Sequence, residues 1–97
     1  MIRSFKGKGT ETIFVGRDSK TARKSCPVDL WNVTRRKLDQ LNQAEALLDL
    51  KAPPRNRLEK LTRDREGQHS IRINDQFRVC FRWTDRGPEV VEVVDYH

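Results

Sequence analysis

Between residues 28 and 43 the apolar positions Trp31, Leu38 and Leu41 stand seven and three apart with Thr34 between them, the spacing of one helical face. Pro27 suits the first turn of such a helix, and Asp29 places a negative charge near its positive end. A helix from about Val28 to Gln43 is therefore predicted, with Arg35, Arg36 and Lys37 turned away from the apolar stripe. Before it, Ile2 to Phe5 reads as a short strand. Gly7 to Lys24 is polar except at Ile13, Phe14 and Val15, and reads as a short helix or an irregular arm. Ala44 to Leu50 adds at most another helical turn, which Pro53-Pro54 ends by pushing the preceding residue out of the helical region.

The period then becomes two. In His69 to Ile73 the isoleucines alternate with polar residues. In the next run Phe77, Val79, Phe81 and Trp83 share one face, and Arg78, Cys80 and Arg82 share the other. Asn74-Asp75 marks a hairpin turn and Arg86-Gly87-Pro88 a second one. Val90 to Val94 is apolar on both faces apart from Glu92, as expected of a central strand. A strand, helices and then a three-stranded meander give an α+β fold, with N-terminal helices on one face of a small twisted antiparallel sheet. The 97 residues are expected to form a single domain over residues 1–97.

Composition narrows the function classes. Only 35% of the residues are apolar and 35% are charged, so the core is small and rests on a few large side chains, with Trp31 and Trp83 among them. No apolar run is long enough for a transmembrane helix, and Met1 to Phe5 lacks the apolar stretch of a secretory signal. Cys26 and Cys80 read as reduced thiols, and the expectation is a cytoplasmic protein without membrane contact. The net charge is +6, unevenly spread. Residues 1–37 hold ten Lys and Arg against three acids, whereas residues 88–97 hold three acids and no Lys or Arg. Such a basic surface favours a polyanionic partner, the alternative being a merely solvating one.

The alternation places Arg72, Arg78 and Arg82 on the open sheet face, with Arg57, Arg63 and Arg65 in the segment before it. Together they form a candidate phosphate-binding patch; the alternative is a solvated face paired with Glu92. No Ser-His-Asp arrangement, Gly-rich phosphate loop or metal-ligand spacing is present, so neither a metal nor another cofactor is expected. The final residues Asp95-Tyr96-His97 read either as an ordinary polar tail or as chemistry. They combine an orienting carboxylate, a stacking phenol and a group that titrates near neutral pH. Facing arginines, they could cleave RNA: the ribose 2′-OH attacks the adjacent phosphate as a base takes its proton. Arginine then stabilises the developing charge, and an acid protonates the leaving 5′-oxygen.

From Ala52 onward the chain resembles the HigB-type toxins of the RelE superfamily. The resemblance runs through Ala52-Pro53-Pro54, Asn56 to Glu59, Asp64-Arg65 and Gly67-Gln68. It continues through Ser70 to Arg78, Phe81-Arg82-Trp83 and Val91-Glu92, and ends on Asp95-Tyr96-His97, with Met1 to Phe5 matching the opening strand. It implies a RelE-like fold and a metal-independent endoribonuclease that cuts messenger RNA in the ribosomal A site. It also implies a HigA-type helix-turn-helix antitoxin, through which alone the complex meets operator DNA. Carried over, Asp95, Tyr96 and His97 match the C-terminal active-site residues and Arg78 the phosphate-contacting arginine. Arg57, Arg63, Arg65, Arg72 and Arg82 are expected to bind messenger or ribosomal RNA. Glu59 stands where some relatives have a histidine; it is expected to act as base, or else to balance Arg57 or Lys60 on the surface. His69 is expected to stack on RNA or merely to cap its strand. The competing readings are a catalytically inactive antitoxin-binding module that helps regulate its operon, and a generic single-strand RNA binder. From charge alone, Lys6 to Lys24 and Arg35 to Lys37 offer the antitoxin a surface.

Overall fold

A computed structural model describes residues 1–96. Its helices are α1 (Lys8–Phe14), α2 (Lys20–Ser25) and α3 (Trp31–Gln43). Its strands are β1 (Glu59–Lys60), β2 (His69–Arg72), β3 (Phe77–Thr84) and β4 (Gly87–Asp95), paired antiparallel in that order. The fold is α+β, with the N-terminal helices against one sheet face.

The α3 stripe is as its spacing predicts: Trp31, Thr34, Leu38 and Leu41 are the buried positions. They join Ile13, Leu50, Ile71, Val79, Phe81 and Val91 in one core. Phe81 is fully buried, and burying such a side chain contributes about 1.5–3 kcal/mol. Val28–Leu30 forms a separate 3-10 turn ahead of α3. The segment Gly7 to Lys24 contains two short helices instead of one. Ser19 caps the second, its hydroxyl accepting from Ala22 N at 3.0 Å. Gly9 lets them meet, since a Cβ there would stand 2.8 Å from the Thr21 carbonyl.

The N-terminal segment runs parallel to the outer edge of β4. Phe5 bridges Val91, Arg3 N donates to Pro88 O at 2.7 Å and Lys6 N to Val91 O at 3.0 Å. Beyond Gly7, α1 takes over that edge: Val93 N donates to Thr10 Oγ1 at 3.0 Å. β4 is the last strand of the sheet and not the central one its sequence suggests; its free edge is covered by the N-terminal segment and α1, which accounts for its apolar sequence. A fourth strand, β1, pairs with β2 and extends the expected meander. Being two polar residues long, it offers no hydrophobic alternation.

A bulge interrupts the β3–β4 ladder: Cys80 faces Glu92 but Arg82 faces Glu89. Val90 sits there with φ 47, a left-handed conformation that is strained for a β-branched residue. Its N–H is held by Ser4 Oγ at 2.9 Å. The extra residue brings both Glu89 and Glu92 to the face that carries the arginines.

Candidate active site

The open face is built around Arg78, a strand arginine that is only 9% exposed. Its Nε donates to the fully buried Ser70 Oγ at 2.7 Å, and one terminal nitrogen donates to the Arg57 carbonyl at 2.6 Å. Arg57 presents that carbonyl from a left-handed backbone at φ 45, just past the 3-10 turn Pro54–Asn56. The other terminal nitrogen lies 3.7 Å from the half-exposed Glu59 carboxylate. Tyr96, following β4, sets its ring 6.0 Å from the Arg78 guanidinium carbon. The cation thus has neighbours on three sides, and a half-exposed carboxylate stands at the fourth.

Cys80 lies buried beside this group on the same face. Burial pushes its thiol up, despite the nearby Arg65 and Arg78. Burial also pushes the Tyr96 hydroxyl up, with the adjacent Cys80 adding to the effect. Tyr96 is therefore a protonated phenol at neutral pH, a hydrogen-bond donor and not a base. Ser70 and Cys80 were not singled out from the sequence as site residues. Period-two alternation places both on the face of Arg78, and they are opposite one another in the ladder.

The remaining candidates divide. Arg65 reaches the site from the 3-10 turn Arg63–Arg65, donating to Glu92 at 3.0 Å and to Gln68 at 3.3 Å. Arg82 lies along β3 beyond Cys80, 3.9 Å from Glu89. The side chains of Arg57 and Arg63 are exposed at the rim. Arg72 pairs with Asp75 and lines a different cleft beside α3. His69 faces the core side, stacked on Phe81 with ring centroids 6.3 Å apart. Burial and Lys60 hold its imidazole below the ordinary range, and its Nδ1 is buried without a partner among the described residues.

The arginines of this face are paired, Arg65 with the Glu92 that the sequence offered as a partner: Arg78, Arg65, Arg82 and Arg72 each have a carboxylate, from Glu59, Glu92, Glu89 and Asp75 respectively. Asp95 and Tyr96 turn to different neighbours. Asp95 lies opposite Phe77 in the ladder and accepts from Gln76 Nε2 at 3.0 Å, whereas Tyr96 lies over Arg78. Strand alternation separates the two neighbours. His97 lies outside the described residues. Among the described residues, no three His, Cys, Asp or Glu side chains gather as metal ligands.

A family model described as RelE-like toxin of type II toxin-antitoxin system HigB matches residues 3–97. The chain belongs to the HigB-like toxin family. Toxin HigB-1 of Vibrio cholerae serotype O1 is 40% identical over 85 residues, covering 88% of this chain and 86% of that protein. An uncharacterized protein of Haemophilus influenzae is 39% identical over 57 residues, covering 59% of this chain and 56% of its own length. The HigB-like match takes in the N-terminal helices as well as the strands. Membership makes the chain a toxin of a type II toxin–antitoxin system, with an antitoxin as its partner. No helix among the described residues is long and apolar enough to cross a membrane.

Proposed function

We propose that this HigB-like toxin, a single domain over residues 1–97, is a ribosome-dependent endoribonuclease of messenger RNA. The carrying observation is the orientation of Arg78: its inner nitrogens are anchored by Ser70 and Arg57, and its outer one meets only an exposed carboxylate at 3.7 Å. A phosphate displacing Glu59 would receive a preoriented donor with no reorganisation at the moment of reaction. Tyr96 stacks on the scissile nucleotide. Glu59, released from Arg78, or His97 takes the 2′-OH proton as that oxygen attacks phosphorus. The 5′-oxygen leaves with a proton from His97, or from water where His97 is the base, giving a 2′,3′-cyclic phosphate and a 5′-hydroxyl. The chain needs no metal for this, because RNA supplies its own nucleophile. Asp95 positions the tail through Gln76. Arg65, Arg82, Arg57 and Arg63 contact phosphates of messenger or ribosomal RNA, and His69, inside the sheet between Lys60 and Phe81, packs on its core side. The partner is a HigA-type helix-turn-helix antitoxin, through which the complex reaches operator DNA, and the toxin acts in the cytoplasm.

Glu59 also favours a second reading. As an ion-pair partner of Arg78 it would neutralise the site of a non-catalytic antitoxin-binding module. Cleavage on programmed ribosomes separates the two. The nuclease reading expects cut message with the wild-type chain, and intact message with Arg78→Ala or after removal of His97. A wild-type chain that leaves message intact while binding its antitoxin would establish the second reading.

A further inference from the structure

Beside α3, away from Tyr96, Arg36, Lys37, Arg55 and Arg72 line a cleft of about 510 Å³. They come from α3, the 3-10 turn Pro54–Asn56 and the end of β2, so separate segments bring like charges together. No carboxylate lines the cleft; Asp75, paired with Arg72, is almost wholly exposed. Behind it the fully buried Asn56 organises the wall. Its amide nitrogen donates to Gln40 Oε1 at 3.1 Å and to Leu50 O at 3.1 Å, and its oxygen accepts from Lys37 Nζ at 2.5 Å. Burial and the charges of Arg36 and Arg55 hold the Lys37 ammonium below the usual lysine range. Crowded cations of this kind favour an anion.

We propose that this cleft is a second phosphate-binding site, taking backbone phosphates of the RNA strand that passes Arg78. The inference rests on the reading of the protein as an RNA enzyme and extends it to a surface that reading does not use. Two features select RNA over an acidic protein segment. Arg72, on the wall of the cleft, lies directly opposite Arg78 in the ladder, where side chains start about 4.5–5.5 Å apart, so a strand passing Arg78 comes within reach of the separate cleft beside α3. The cleft also lacks an aromatic wall for a peptide side chain: its apolar lining is Val33, Pro53 and Ile73, and the Gln40 amide is engaged within the fold, donating to Ala52 O and accepting from Asn56. Arg36 and Lys37 are thereby assigned to RNA instead of the antitoxin. Arg35 is otherwise engaged, its Nε donating to Ile13 O at 3.0 Å.

The test uses the full chain and a labelled 2′-O-methyl RNA of about ten nucleotides. Binding is followed by fluorescence anisotropy from about 50 to 200 mM salt, where counterion release reports phosphate contacts. The triple variant Arg36→Ala/Lys37→Ala/Arg55→Ala should weaken binding on the order of tenfold and flatten the logarithmic salt slope by about 2, at roughly 0.7 per contact on a single strand. Arg55→Ala alone, at an exposed position, should flatten it by about 0.7. Unchanged slopes in both variants would overturn the proposal. So would a triple variant that loses affinity for poly-L-glutamate while keeping its RNA slope, which would assign the cleft to an acidic protein. The probe lacks a 2′-hydroxyl, so this readout stands whether or not the chain cleaves RNA. Conversely, cleavage that depends on Arg78 beside unaltered slopes would defeat the cleft alone.

Discussion

Ser70→Ala removes a single oxygen from beneath Arg78. That oxygen accepts the Arg78 Nε–H at 2.7 Å between two buried side chains. Hydrogen bonds to charged groups contribute about 1.5–3 kcal/mol, and the donor left behind is buried. Little compensates: Glu59 is 55% exposed, and such pairs are worth at most about 1 kcal/mol. The bond from the terminal nitrogen to Arg57 O persists and keeps the cation in place but less firmly oriented. We expect a loss of about 2 kcal/mol in urea unfolding followed by the fluorescence of Trp31 and Trp83, or roughly 8–16 °C in Tm for a domain of this size. The decisive measurement is a double-mutant cycle. In an Arg78→Ala background Ser70 has lost its donor, so Ser70→Ala should then change stability by less than about 0.5 kcal/mol. Effects that add within that margin would show that Ser70 does not hold Arg78. In the cleavage assay Ser70→Ala should lower kcat by about ten- to a hundredfold, less than the 10²–10³ expected on deleting the donor outright with Arg78→Ala. Ser70→Thr keeps the hydroxyl on a side chain suited to a strand and should recover most of the rate.

Three other outcomes follow from the same geometry. Cys80, buried and with its pKa raised, should resist alkylation in the native chain at neutral pH and react once urea unfolds it; fast native labelling followed by mass spectrometry would contradict that placement. His69 has a folded-state pKa below the unfolded value of about 6.5, so the unfolded chain binds its proton more readily. The associated stability is present above that value and lost as pH falls through the folded pKa, and in urea titrations His69→Phe should flatten this acid-side decline; an unaltered slope would exclude His69 as its source. Gly9→Ala should lower Tm by separating α1 from α2, since the added carbon would crowd Ser25 as well as Thr21; overpacking of this kind costs about 1–3 kcal/mol. An unshifted Tm would mean that the two helices do not approach so closely.

Much of the fold was legible because its long elements carry strong periodicity. The α3 stripe names the residues that are buried, and the Phe77 to Trp83 alternation names the core face of β3 although Arg78 and Cys80 on its other face are buried too; Pro53-Pro54 marks a helix stop and Asn74-Asp75 a turn by backbone chemistry. What escaped was short or held by tertiary contacts. β1 is two polar residues recruited by β2, and the pair α1–α2 depends on one glycine at their crossing. Neither has a local pattern that could announce it.

The arginine face of β3 was legible in the alternation but its full pairing with carboxylates was not, and the reason lies in a single residue. Counting by twos along β4 places Glu89 and Glu92 on opposite faces, which leaves the arginine face nearly bare of acids. The bulge at Val90 reverses that parity: Glu89 comes to Arg82 and Glu92 to Arg65. A β-branched residue at φ 47 is a conformation that sequence reasoning assigns to glycine or asparagine, so nothing nearby signalled the shift. The consequence is functional as well as structural. On a face of paired charges an incoming phosphate exchanges one anion for another instead of filling an empty field. Affinity for an isolated phosphate is then low, and selectivity falls to whichever pair yields most readily. The half-exposed Glu59, at 3.7 Å, yields more readily than Glu92, which is three-quarters covered and 3.0 Å from Arg65. In the proposed reaction, exchange would therefore start at Arg78, whose other nitrogens the neutral acceptors Ser70 and Arg57 O already hold.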